Sequence, residues 1–385
     1  MFLVVLGAIL ASMHLYVWVR LVKDTTRPGR VRWLLSAFVV ALALLLVATL
    51  ALKGVVAPVI AWPVYLWFGL VAYLFLVLLV LEPIRWLLRR RIRRRPEPQA
   101  APEAEPDAVN RRLFLARASA VAAGAVSVGV VGVGAATALG PPNVLHVPVR
   151  LRRLDPALSG FRIAVVSDVH LGPLAGRAHT ERIVRMINET SPDLVAIVGD
   201  LVDGTVAELG SAAEPLRDLH SREGAFFVTG NHEYFVEDTS SWLHELERLG
   251  VHPLRNENTV IRRGSASFDL AGVNDVAGAS RSDPPDFDKA LEGRDRARPT
   301  VLLAHQPVQV ATAAERGVDL QLSGHTHGGQ MWPFHYAVRA VQPSLAGLSS
   351  VGDTQLYVSR GAGFWGPPVR VGAPPDISVI SLQQP

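Results

Sequence analysis

The chain has 385 residues, 49% of them hydrophobic, and a mean hydropathy of +0.26, which is rich for a wholly soluble protein. Its net charge of +4 is uneven: residues 1–112 carry 15 Lys/Arg against 6 Asp/Glu and the rest 23 against 28, so the excess positive charge lies beside apolar segments and argues against nucleic-acid binding. With no cysteine, disulfides, thiolate metal sites and cysteine nucleophiles are excluded, and any metal needs nitrogen and oxygen ligands.

Three apolar runs come first. Phe2 to Val22 is broken only by His14 and Arg20; Trp33 to Leu52 follows, then Ala57 to Leu81 with Pro58 and Pro63 near its start. Crossing a hydrocarbon core takes about 20 helical residues, so residues 1–83 read as three transmembrane helices. The first run lacks a basic leading region and reads as a span, not a cleaved signal. Arg20, Lys23, Arg27, Arg30 and Arg32 separate the first two runs, Lys53 lies between the second and third, and seven arginines fall from Arg85 to Arg95. Basic loops stay cytoplasmic, which puts the N-terminus outside. Residues 84–112, with the stretch PEPQAAPEAEPDA, read as a basic and Pro/Ala/Glu-rich cytoplasmic linker too poor in apolar residues to fold.

Residues 113–140 would carry the chain back out. Arg111-Arg112, then Leu113-Phe114-Leu115 and a mildly hydrophobic Gly/Ala/Val-rich stretch, resemble a twin-arginine export signal, which would make the twin-arginine translocase a partner. The segment departs from that pattern by being internal and by having Ala116 where a lysine is common. An ordinary fourth span is the other reading, and both predict a multi-pass membrane protein whose remaining residues work outside the cytoplasm. Ala136-Thr137-Ala138 has the small-x-small form of a cleavage site, a weak signal in an alanine-rich run.

Past Pro141-Pro142 the pattern changes. FRIAVVSD, DLVAIVGD, AFFVTGN, SFDLAGV, TVLLAHQ, LQLSGH, QLYVSRG and ISVISL read as strands, with HTERIVRMINET and SSWLHELERLG as amphipathic helices, which predicts one α/β domain over 145–385. Polar residues stand where strands end: Asp168 and His170, Asp200, Asn231 and His232, His305, His325 and His327. Each alone reads as a turn, cap or structural side chain. Together, at the carboxyl ends of five strands, they make a set of oxygen and nitrogen ligands with small residues before them to let the backbone turn near an ion.

The segments SDVH, VGDLVDG, TGNHEY, LLAHQP and SGHTHGGQ, in this order, resemble the five motifs of the calcineurin-like metallophosphoesterases over about residues 145–385. HLGP and the closing YVSRGAGFWGPPVRVGAPPDISVISL resemble its membrane-associated bacterial subgroup, which includes twin-arginine-exported phosphodiesterases and enzymes like UDP-2,3-diacylglucosamine pyrophosphatases. The resemblance implies a four-layer double β-sandwich flanked by helices and two divalent ions, Mn, Fe or Zn. It assigns Asp168, His170 and His327 to one ion and Asn231, His305 and His325 to the other, with Asp200 bridging and His232 as general acid or phosphate-orienting imidazole. Such a pair clamps a phosphate and activates a bridging hydroxide for attack on phosphorus.

The substrate is less legible. Met331, Trp332, Phe334, Tyr336, Val338, Phe364 and Trp365 read either as core or as an apolar rim admitting the acyl or prenyl part of an amphiphilic phosphoester, and Arg360 and Arg370 as surface salt bridges or contacts to a second phosphate. The expected reaction is hydrolysis of a phosphodiester or pyrophosphate. Phosphomonoester hydrolysis is the nearest alternative, and a catalytically weak membrane scaffold or a transporter built on the spans the more distant ones.

Overall fold

A computed structural model describes residues 2–51, 58–93, 105–236 and 239–385. Lys53 and the linker portion 94–104 lie outside the described residues. On both sides of that portion the chain is helical, with one helix running on to Arg93 and the next starting at Glu105, consistent with the Ala, Glu, Leu and Arg content there. Two compact units are present, Met1–Ala135 with Pro367–Val369, and Ala136–Gly366 with Arg370–Pro385.

The first unit is built from α1 (Phe2–Trp18), α2 (Arg30–Ala51), α3 (Pro58–Arg93) and most of α4 (Glu105–Leu139). Among the described residues, the segments Arg30–Ala51, Val59–Leu88 and Arg111–Leu139 are long and apolar enough to cross a membrane. Helix α1 has 17 residues and continues into a single π turn, Val19–Lys23. Val17, Val71, Leu74, Leu78 and Ala123 of α1, α3 and α4 pack together, while Trp33, Phe38 and Leu44 of α2 point outward as lipid-facing side chains do. Arg20 pairs with Asp24 at 3.0 Å and Glu82 at 2.9 Å, and Arg85 with Asp24 at 3.2 Å, so these charges neutralise one another.

Among the described residues, the second unit holds twelve strands in two six-stranded sheets. The first runs β1 (Asn143–Arg150), β12 (Asp376–Gln383), β2 (Phe161–Val166), β3 (Leu194–Val198), β4 (Ala225–Val228), β5 (Val251–Pro253). The second runs β10 (Gly347–Val351), β11 (Thr354–Val358), β9 (Leu320–Ser323), β8 (Thr300–Leu303), β7 (Ala266–Gly272), β6 (Glu257–Arg263). All eight segments read as strands from the sequence are strands here. The two helical segments are α5 (Arg177–Glu189) and, after α6 (Val206–Ala213), α7 (Thr239–Arg248).

Strand periodicity distributes the side chains. Ile163 and Val165 of β2 face inward with Leu194, Ala196 and Val198 of β3, against Phe268, Leu270, Val301, Leu303 and Leu322 of the second sheet. Phe161 meets Phe268 edge to face at 5.2 Å. The alternate residues Ala164, Val166, Val195 and Ile197 face outward, covered by Ile183, Val184 and Ile187 of α5 and Trp242 and Leu246 of α7. Ala271, Leu302 and Ala304 on the other sheet's outer face are covered by Phe287, Ala290 and Ala313. The result is the four-layer sandwich of helices, sheet, sheet and helices that the resemblance implied. Strands β2, β3 and β4 are mutually parallel, as are β7, β8, β9 and β11, so within each sheet the carboxyl ends gather on one side.

Candidate metal centre

The turns leaving β2, β3, β4, β8 and β9 carry all eight polar residues singled out in the sequence. Three groups of ligand atoms lie within 4.8 Å of one another: Asp168, His170 and His327; His170, Asp200 and His232; and Asp200, His305 and His325. His327 Nε2 is 3.3 Å from Asp168 Oδ1 and 3.1 Å from His170 Nε2, and His305 Nε2 is 3.2 Å from Asp200 Oδ2. The backbone is bent sharply to achieve this. Asp168, His170, Asp200, His325 and His327 all have φ between 49° and 69°, a left-handed conformation that side-chain-bearing residues adopt at a cost and that clusters at functional sites.

Hydrogen bonds orient the rings. His305 Nδ1 donates to the carbonyl of Val198 at 2.8 Å, which turns Nε2 to the Asp200 carboxylate, and against the effect of burial that carboxylate with those of Asp168 and Asp275 raises the His305 pKa. The Asp203 carboxylate accepts from His170 Nδ1 at 3.2 Å and from His232 Nδ1, turning both Nε2 atoms towards Asp200, at 3.8 and 4.0 Å. The buried Glu233 carboxylate collects the backbone N–H groups of Asp200 at 2.9 Å, Leu201 at 2.8 Å, Val202 at 3.2 Å and Gly230 at 2.6 Å, and so sets the turn that presents Asp200. Neither Asp203 nor Glu233 stands directly at a strand end. Their signal was position inside VGDLVDG and TGNHEY, one turn beyond the residues read as ligands.

Electrostatics fits the same picture. Burial works against the Asp200 carboxylate, but His305 and His232 outweigh it and hold its pKa well below the usual range. Burial takes His325 down to about 3, with His305 adding to the effect, and burial with His170 and Arg370 takes His327 well down, so both stay neutral as ligands require. Burial also disfavours charge on His232, yet Asp200 and Asp203 raise it to about 9. Burial lifts Glu233 to about 7, helped by the charge of Asp200.

The donor set fits two divalent ions. Asn231 Oδ1, which the resemblance assigns to one ion, is buried and makes no hydrogen bond, a condition that coordination would relieve, and His305 Nε2, assigned to the same ion, faces only the Asp200 carboxylate. The donors are nitrogen and oxygen throughout, suited to Mn, Fe or Zn. Glycines give the carboxylates room: a Cβ on Gly230 would run into the Asp200 carboxylate, and one on Gly324 into Ser167 Oγ and the Asp168 carboxylate. Gly324→Ala is therefore expected to weaken metal binding by roughly 10- to 100-fold, as displacing an outer-shell support does, while costing about 1–3 kcal/mol of stability. Equilibrium dialysis with metal analysis and thermal unfolding would measure both.

The outer residues divide. Trp365 is 46% exposed with its ring 6.3 Å from that of His232, and exposed Phe235, which the sequence reading passed over, lies 5.0 Å from the same imidazole. Trp332, Phe334 and Tyr336 are exposed, Met331 and Val338 half-buried and Phe364 buried. Gln330 joins the two tryptophan loops, with Nε2 donating to the Trp365 carbonyl at 2.8 Å and Oε1 accepting from its N–H at 3.0 Å. Arg360 is half-buried, 3.5 Å from Asp376. Arg370 departs from the expectation of a surface or phosphate contact: it is 1% exposed, and its guanidinium is consumed by backbone carbonyls and His327.

Residues 161–329 match the family model for calcineurin-like phosphoesterases. A bovine (Bos taurus) transmembrane protein with metallophosphoesterase domain is 42% identical over 263 residues, covering 65% of this chain and 59% of its own. An uncharacterized metallophosphoesterase of Helicobacter pylori is 40% identical over 246 residues, covering 63% of this chain and 64% of its own, and one of Aquifex aeolicus is 33% identical over 227, covering 58% and 85%. The chain thus spans about three fifths of the length of the bovine relative. With its buried Asp and His clusters at the strand ends and its apolar helices, this membrane-associated chain belongs to the calcineurin-like metallophosphoesterase family.

Proposed function

We propose that the chain is a membrane-anchored phosphoesterase that uses two divalent ions to hydrolyse a phosphodiester or pyrophosphate bond of an amphiphilic substrate outside the cytoplasm. The observation that carries this reading is the place of Asp200, whose carboxylate belongs both to the group with His170 and His232 and to the group with His305 and His325. A carboxylate in that position can serve two ions at once. When bound, such a pair neutralises phosphate charge and brings water into its nucleophilic form near neutral pH. The chain's own residues do the rest. Asp168, His170 and His327 would hold one ion, Asn231, His305 and His325 the other, and Asp203 fixes His232 with a proton available at Nε2 for the leaving oxygen. Trp365 and Phe235 beside His232, with exposed Trp332 beyond Gln330, form an apolar rim for an acyl or prenyl chain, and Arg360, which would first have to leave Asp376, is the cation offered to a second phosphate.

The test is a metal-by-substrate matrix on the full chain in detergent, using bis-p-nitrophenyl phosphate, p-nitrophenyl phosphate and a nucleotide-linked acyl sugar. Diester or pyrophosphate cleavage well above monoester cleavage is expected; preference for the monoester would reverse the assignment, and no hydrolysis with any metal would leave a scaffold. The arginine bias of the loops supports an external catalytic unit. Arg111→Lys with Arg112→Lys is expected to trap that unit inside if a folded domain is exported by the twin-arginine route. External activity equal to wild type would leave the pair as ordinary positive-inside anchors.

A further inference from the structure

The geometry points to Arg370 as the positioning residue for one half of the metal centre, the half made by Asp168, His170 and His327. Its guanidinium has five N–H donors and, buried, none reaches solvent. Nε donates to the carbonyl of Gly363 at 2.8 Å, Nη1 to those of His327 at 3.2 Å and Ala373 at 3.0 Å, and Nη2 to those of Arg360 at 2.9 Å and Gly361 at 3.3 Å. Nη2 also lies 3.3 Å from His327 Nδ1. One planar side chain thus ties the turn carrying His327 to the 360–363 loop. That loop in turn grips the strand end carrying Asp168: Ala362 N–H donates to the Ser167 carbonyl at 2.9 Å, Gly363 N–H to the Asp168 carbonyl at 2.8 Å, and a Cβ on Gly361 would meet Asp168 Cβ. Arg370 makes no hydrogen bond to Asn231, His305 or His325. A cation that spends its donors on the His327 carbonyl and on carbonyls of the loop gripping Asp168 fixes the distance between those two turns, and only a fork-shaped donor reaches both at once.

Loss of the fork should therefore loosen one ion and spare the other. The inference rests on the two-ion reading, and its experiment separates the two. Wild type, Arg370→Lys and Arg370→Gln, as full chains in detergent, are titrated with Mn(II) and followed by bound-metal analysis and electron paramagnetic resonance. Wild type is expected to take two ions with an exchange-coupled spectrum. Both variants are expected to retain one tight ion, give an uncoupled spectrum, and bind the second roughly 10- to 100-fold more weakly. A single ion on the wild type refutes the pair of ions; two coupled ions of wild-type affinity on Arg370→Lys refute the role of the arginine. Equal weakening of both ions, or failure of both variants to fold, would make Arg370 a residue of the fold at large and equally end the assignment.

Discussion

On the proposed two-ion scheme, Asp200→Asn is expected to lower metal-dependent turnover about a thousandfold, since a carboxylate shared by two cations would supply several kcal/mol in the transition state and about 4 kcal/mol corresponds to that factor. The fold should survive. Asparagine matches the shape of the aspartate, and its side-chain oxygen can still accept from the His232 N–H, now 2.8 Å from Asp200 Oδ1. The close approach of Gly230 likewise leaves space for an isosteric side chain only. Turnover, bound-metal analysis and thermal unfolding measured on the same sample check the claim. Wild-type turnover by a variant carrying both ions would refute the shared-carboxylate scheme.

His232→Ala is expected to cost about 10²- to 10⁴-fold, the range for a lost general acid. The loss should depend on the leaving group, being large for an alkyl ester and small for p-nitrophenolate, which departs without a proton. A uniform loss across leaving groups would instead assign His232 to binding phosphate. Asp203→Asn should fall between wild type and His232→Ala for alkyl esters, roughly 10- to 100-fold down, because it loosens the orientation of His232 and His170 without removing either ring.

The eight strands legible from apolar runs are all interior strands of the two sheets. The four that escaped notice, β1, β5, β6 and β10, are the four edges. An interior strand between two covered faces is buried along nearly its whole length and reads as a mainly apolar run, most clearly in LVAIV of β3, where all five are buried. An edge strand is short or half-exposed: NVLHVPVR and ENTVIRR bury one residue each, and β5 has only three residues. The polar residues that gather at the strand ends were legible for the opposite reason, since a carboxylate or imidazole directly after a buried strand breaks the pattern. Asp203 and Glu233 sit a turn further on, where an acidic residue is unremarkable in sequence. Arg370 was misplaced because its partners are carbonyls, and no residue type advertises a carbonyl. Long-range closure of that kind is set by the fold and not by local pattern.

Strand β1 opens the catalytic unit, yet its partner is β12, in parallel register from Asn143↔Asp376 to Arg150↔Gln383. Strand β12 also supplies the antiparallel neighbour of β2, with Val379 opposite Ala164. The part of this sheet made first therefore waits for the part made last, and until residues 376–383 leave the ribosome β2 has a bare edge and β1 has no neighbour. Order of synthesis and order of pairing run against each other. For as long as the chain is still growing, the sheet therefore stays open-edged and prone to wrong partners.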